Sequence, residues 1–288
     1  MIDDSIDKPS GSKSFFVEFL AYSITATNIV KKIYVKSPFN KKSNKDKEIT
    51  LDTEKLDLIS QALENKFLSS FVSNRYSLYD VSFRESGTTS SIGFSFNDIQ
   101  DSSYIEPLQA FKPFENFGIQ PITDIIEKIQ NSIFQHQPLY NPISMIGLVI
   151  DDAILTCIKA YIRFDLSEAQ TSLERGNIVK NIIKTVTPQQ PSVSAFTEIT
   201  QNLEDLGFVF YFVGVDSYAN GSKRFKLYFK FFGENDLDIK KTILVLSQFD
   251  FCNNVKKVFE KHKNGIWGLA LSTDMFEYVN GIQLYFYP

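Results

Sequence analysis

One short pattern recurs along this chain, and it constrains the fold more than any other feature. A cation, a tyrosine and a second cation alternate with apolar residues at Lys32, Tyr34 and Lys36, at Lys159, Tyr161 and Arg163, and at Lys226, Tyr228 and Lys230. Gln283, Tyr285 and Tyr287 form a related copy, and Ser91, Gly93 and Ser95 a weaker one. The centres of successive copies lie roughly 60–70 residues apart, the spacing of a repeated supersecondary unit. Alternation at period two is the signature of a strand with two distinct faces.

Each copy follows another apolar run after a short reversal, so the copies predict second strands of hairpins at 14–37, 75–97, 144–165, 207–232 and 265–287. Turn chemistry agrees at Gly87, at Asp151 and Asp152, at Asn220 to Ser222 and at Asn280 and Gly281. Between hairpins the period becomes helical. Leu56, Ile59, Leu63 and Phe67 form one stripe, and Ile122, Ile125, Ile126 and Ile129 another behind Pro121. Ser167 suggests an N-cap for a helix through Ile183, and Gly207 a stop for one from about Ser194. A further pair is predicted over 236–249 and 255–262.

Five twisted hairpins in series favour closure, because closure alone removes every sheet edge. The expectation is an α+β fold: a closed antiparallel barrel of ten strands with paired helices outside, one domain over 1–288. Residues 1–12 are expected as a flexible tail, and 37–48 and 185–194 as solvated loops. The 14–37 hairpin would close the barrel. Phe15, Phe19 and Tyr22 also fit a helical stripe, which leaves a helix as a second reading there.

If the apolar faces (Ile158, Ala160 and Ile162; Ile282, Leu284 and Phe286) meet the helices, the cations and tyrosines face a shared interior. Clustered cations out of water need an anion. A diphosphate suits them through charge-assisted hydrogen bonds, and tyrosine rings can flank a carbocation. Water exclusion would protect that cation. The chemistry implied is ionisation of an allylic diphosphate and capture by an electron-rich ring.

The composition fits a globular protein with a large core: 43% hydrophobic residues, 27 Phe and 13 Tyr against one Trp. A net charge of −4 disfavours nucleic acid as a partner. Two cysteines suit a reducing cytoplasm, and no stretch is apolar enough to suggest a membrane span.

The chain resembles the ABBA-fold aromatic prenyltransferases. The small phenol and phenazine type is nearest, with the cyanobactin peptide prenyltransferases second. The likeness rests on Ser82 and Arg84 with Gly93, on Asn141 to Gly147 with Lys159 and Tyr161, on Val213 to Asp216 with Arg224, Lys226 and Tyr228, and on Trp267 to Ser272 with Tyr285. Matching those families places the 14–37 hairpin as if the barrel were circularly permuted.

The resemblance implies a dimethylallyl diphosphate donor and an aromatic acceptor. Lys32, Lys36, Lys159, Arg163, Lys226 and Lys230 are the diphosphate candidates, and Tyr34, Tyr161, Tyr228 and Tyr285 the shield. Arg224 and Arg84 are weaker diphosphate candidates. Asp80 or Glu18 would be the base, and Trp267 would stack on the acceptor. Some members hold Mg²⁺ through an aspartate that aligns with Gly93, so no metal is expected. A non-catalytic barrel carrying an amphipathic anionic ligand needs the same residues and is the alternative.

Overall fold

The structure is a computed structural model that describes residues 14–36, 47–50, 76–84, 92–98, 123–133, 143–151, 154–163, 171–186, 193–233, 237–262, 265–274 and 278–288. The strands are β1 (Ser14–Ile24), β2 (Ile29–Lys36), β3 (Lys47–Thr50), β4 (Tyr76–Arg84), β5 (Ile92–Asp98), β6 (Ile143–Asp151), β7 (Ile154–Arg163), β8 (Phe208–Tyr218), β9 (Lys223–Phe231), β10 (Ile266–Thr273) and β11 (Val279–Phe286). The helices are α1 (Thr123–Ile133), α2 (Ser172–Val186), α3 (Val193–Glu204), α4 (Ile239–Leu246) and α5 (Cys252–Lys261).

Ten strands close into one antiparallel ring, each bonded to its neighbour and β11 returning to β1 through Leu20 to Ile24. The 14–37 segment is a hairpin, not a helix, and it sits between β11 and β4. Its alternating residues satisfy two ladders at once, which an isolated helical stripe could not do.

Strand β3 takes Lys47 and Glu48 out of the solvated loop expected over 37–48, whose other residues lie outside the described residues. The first residues of β1, Ser14 to Val17, extend past the end of β11 and would leave backbone groups bare. Lys47 to Thr50 pair with them. Four residues carry too little periodicity to be read as a strand in advance.

The outward faces form the main core. Ile158, Ala160 and Ile162 of β7 and Ile282, Leu284 and Phe286 of β11 are buried together with Ile126, Val179, Ile183, Leu203 and Phe259 from the helices. Each such large side chain contributes about 1.5–3 kcal/mol when fully buried. Among the described residues no helix is long and apolar enough to cross a membrane.

Helix ends follow local chemistry. Helix α2 starts at Ser172, not after Ser167, which lies outside the described residues. Thr171 and Glu174 form a reciprocal cap: Glu174 N–H donates to the Thr171 hydroxyl at 3.3 Å, and Thr171 N–H to the Glu174 carboxylate at 2.9 Å. Gly207 ends the α3 segment at φ 89°, and Gly221 turns β8 into β9 at φ 83°, both left-handed values that favour glycine. The helical stripe of Leu56, Ile59, Leu63 and Phe67 and the tail 1–12 lie outside the described residues.

Candidate active site

The second strands of the hairpins all run in the same direction round the ring, since neighbours are antiparallel. A repeated cation, tyrosine, cation pattern therefore becomes stacked tiers inside the barrel. The exposure pattern identifies the inner face. On β7, Ile158, Ala160 and Ile162 are 3%, 0% and 0% exposed, while Lys159 and Tyr161 between them are only half-buried. On β7 the helix-facing side is packed and the inner side is the more accessible, whereas on β8, β9 and β11 the inner-face residues Asp216, Lys226, Tyr228 and Tyr285 are themselves buried.

The first tier centres on Asp216 of β8, which is completely buried. Arg224 donates to Asp216 Oδ2 through Nε at 3.0 Å and Nη2 at 2.6 Å. Lys226 Nζ lies 3.5 Å from the same oxygen. Lys159 is paired with Asp216 across the strands, and Lys32 adds its charge from β2. Among the described residues, Asp216 Oδ1 is buried without a hydrogen-bond partner.

Four cations thus gather about one carboxylate, leaving an excess of positive charge. Burial would raise the Asp216 carboxyl, but Lys226, Arg224 and Lys159 hold it well below the usual range, so it is ionised. Burial and the adjacent Arg224 charge bring Lys226 down to about 7 despite Asp216. Lys32 is also pulled well down, by burial and then by Lys159, Lys226 and Arg224. Burial opposes the Arg224 charge, but Asp216 more than restores it. Burial and Asp216 push the Cys157 thiol up to about 12, which leaves it unreactive.

The second tier is aromatic. Tyr161 and Tyr228 centroids lie 5.7 Å apart, Tyr228 and Tyr285 6.2 Å, and Tyr285 and Tyr34 6.0 Å. Gln283 Nε2 donates to the Tyr34 hydroxyl at 3.0 Å. Burial raises the Tyr228 and Tyr285 hydroxyls well above their ordinary value, so both stay protonated. Gly214 makes room, because a Cβ there would lie 2.8 Å from Tyr228 Cε2.

Beyond the tyrosines, Trp267 stands 5.1 Å from Phe19 and 5.7 Å from Tyr285, with Tyr287 6.0 Å from Phe19. Lys230 does not join the Asp216 tier. Its Nζ lies over the rings of Tyr211 at 5.6 Å and Phe232 at 4.8 Å.

Of the residues singled out from sequence, the structure brings together Lys32, Lys159, Lys226 and Arg224, and separately the four tyrosines with Trp267. The side chains of Glu18, Lys36, Asp80, Arg84 and Arg163 lie outside the described residues. By register Asp80 pairs with Lys36 and Ser95, and Glu18 sits at the β1 bulge.

Sequence reasoning gave no role to Asp216, the hub of the first tier. Its signal was a lone carboxylate ending an apolar strand run from Phe208, opposite Arg224. Gly93 faces Ser82, whose Oγ would collide with any Cβ at position 93. Among the described residues no three His, Cys, Asp or Glu side chains cluster as a metal site.

A closed barrel of five hairpins, sheathed in helices and lined on its inner face by polar and aromatic side chains, is the ABBA or PT-barrel fold of the aromatic prenyltransferases. The chain is similar to AnaPT from Neosartorya fischeri, at 13% identity over 94% of this chain and 78% of that one, with a TM-score of 0.58. It is also similar to 5-dimethylallyl tryptophan synthase from Streptomyces coelicolor in complex with DMASPP and Trp, at 11% identity over 93% and 78% of the chains, with a TM-score of 0.55. At such identities the likeness establishes the fold. No protein-family model and no curated protein matches the sequence.

Proposed function

We propose that this barrel transfers a dimethylallyl group from its diphosphate to an electron-rich aromatic acceptor. One observation carries the reading: four cations converge on one side of a tyrosine ring within a closed barrel. The complex of the Streptomyces coelicolor neighbour with DMASPP and Trp supports the pairing of an allylic diphosphate donor with an aromatic acceptor.

In this mechanism Lys32, Lys159, Arg224 and Lys226 hold the diphosphate. The C1–O bond breaks with its electron pair leaving on the diphosphate, whose charge the cations match. Tyr34, Tyr161, Tyr228 and Tyr285 turn ring faces to the allylic cation. The acceptor ring attacks C1, forming the new C–C bond, and its proton passes to a carboxylate, with Asp80 and Glu18 the candidates on the lumen strands. Charge neutralisation comes from side chains, so EDTA is expected to leave the rate unchanged, and loss of activity restored by Mg²⁺ would refute this.

The decisive experiment incubates the protein with dimethylallyl diphosphate and a panel of indoles, phenols and aromatic peptides, read by mass spectrometry for one added isoprenyl unit. Lys159→Ala and Lys226→Ala should each lower turnover about 10²–10³-fold, the cost of removing one preorganised charge contact. Donor binding with no product from any acceptor would instead mark a non-catalytic carrier.

A further inference from the structure

Strand β8 changes faces partway along its length. Phe208 and Phe210 are buried in the outer core, and so are Val213 and Val215, while Phe212 packs against the inner cluster of Tyr228 and Tyr285. Even-numbered residues therefore point out before the change and in after it. Strict alternation from Phe210 would carry Phe212, Gly214 and Asp216 onto the helix side. The pairing with β9 explains the switch: Phe210 faces Phe229 and Phe212 faces Tyr228, so Tyr211 is an extra residue in the register, a β-bulge. The rings of Tyr211 and Phe212 lie 4.2 Å apart, although consecutive residues of a regular strand point to opposite faces.

A buried carboxylate meets this bulge from the helix side. Glu204, the last residue of α3, accepts the Phe210 N–H through Oε1 at 3.3 Å. Arg175 of α2 donates to the same oxygen from Nε at 2.6 Å. The Glu204 side chain is 2% exposed and that of Arg175 14%. Among the described residues the ladder of β8 with β7 ends at Phe212, so Glu204 meets the strand where it runs past that neighbour. A carboxylate this deep is costly unless it is paired and hydrogen-bonded, and here its bonds join two helices to one strand amide.

We infer that Glu204, with Arg175, is a positioning residue: its grip on the Phe210 amide holds the bulge that turns Phe212 towards Tyr228 and so sets the tyrosine ring. Only the kinetic consequence rests on the transferase reading above. Phe212 lies 6.3 Å from Tyr228, Tyr228 6.2 Å from Tyr285 and Tyr285 5.7 Å from Trp267, so a slackened bulge reaches the single Trp through successive ring contacts. Asp216 stands further along β8 and is held by its own bonds to Arg224, so the first tier is spared.

The test compares the double variant Arg175→Leu, Glu204→Leu with Glu204→Gln and with Leu203→Ala, a core truncation on the same helix. The double variant leaves no unpaired ion buried, yet it removes the acceptor beside the Phe210 amide. Glu204→Ser, too short to reach that amide, replaces it if it does not fold. The double variant should alter the near-ultraviolet circular dichroism and the Trp267 fluorescence of the folded protein. It should also lower kcat about tenfold or more, as a misplaced wall does, with little change in KM for dimethylallyl diphosphate. Glu204→Gln keeps the acceptor and should stay close to native in both readouts. Leu203→Ala should lower the melting temperature and leave the native Trp267 signals in place. Native Trp267 signals in the double variant overturn the inference. So do an equal change in Glu204→Gln, which would credit the charge, and the same change in Leu203→Ala, which would mark general loosening. If the native protein prenylates no acceptor, the transferase reading fails and the Trp267 signals alone decide this one.

Discussion

Asp216 carries the most consequential local chemistry, because one carboxylate offsets the group of cations that the proposed diphosphate donor would also engage. Lys226, lowered to about 7 by burial and Arg224, is largely neutral at pH 8 in the free protein. A bound diphosphate favours its charged form, so the uptake of protons on binding should be greater at pH 8 than at pH 6. Calorimetry in buffers of differing ionisation enthalpy reads this directly, and equal heats across buffers at pH 8 would contradict it.

The stability effect has a definite sign. A lysine whose folded pKa is depressed binds fewer protons when folded, so its penalty is full below about 7 and fades as pH rises towards 10.5. Asp216→Asn should lower the melting temperature by leaving buried cations uncompensated, a change that typically costs about 3–5 kcal/mol. Saturating inorganic diphosphate should raise the variant's melting temperature more than the native protein's.

At the level of elements, polar contacts between described residues help tie the helical sheath to the barrel. Tyr22 of β1 meets His262 Nε2, at the end of α5, at 2.6 Å, and the His262 ring stacks near Phe286 at 5.0 Å. Tyr22→Phe should destabilise the fold by about 1 kcal/mol, the usual worth of such a bond, read by urea unfolding. Gly214→Ala should cost more, about 1–3 kcal/mol as in other overpacked cores, since Tyr228 must shift and the tyrosine ring with it.

Elements were legible where period and turn agreed, as at Asn220 to Ser222. They were hidden where a short neighbour decided the outcome. The α2 cap at Thr171 and Glu174 was present in the sequence, yet it competed with Ser167, whose residue type alone looked equally good. Strand β3 was invisible because its cause is the overhang of β1, a tertiary fact.

For the molecule as a whole, the hairpin of β1 and β2 is the closure. Without it β11 and β4 become open edges lined with unpaired backbone groups. A chain beginning at residue 38 should therefore self-associate, seen as a shift out of the monomer fraction in size-exclusion chromatography. The inward orientation of Lys159, Tyr161, Lys226 and Tyr228 could be read from periodicity plus closure. Asp216 as hub could not, because a buried carboxylate becomes intelligible only when its three-dimensional company of Arg224 and Lys226 is known.

The common direction of alternate strands turns position along any one of them into a measure of depth. Two steps on from Lys226 lies Tyr228, and two more reach Lys230, with the same progression on β2 and β7. Under the proposed transfer reaction, the cations that would grip the donor and the tyrosines that would shelter its cation lie on separate floors of one shaft. An exchange confined to a single floor can retune what enters from above while the chemistry beneath it is left undisturbed.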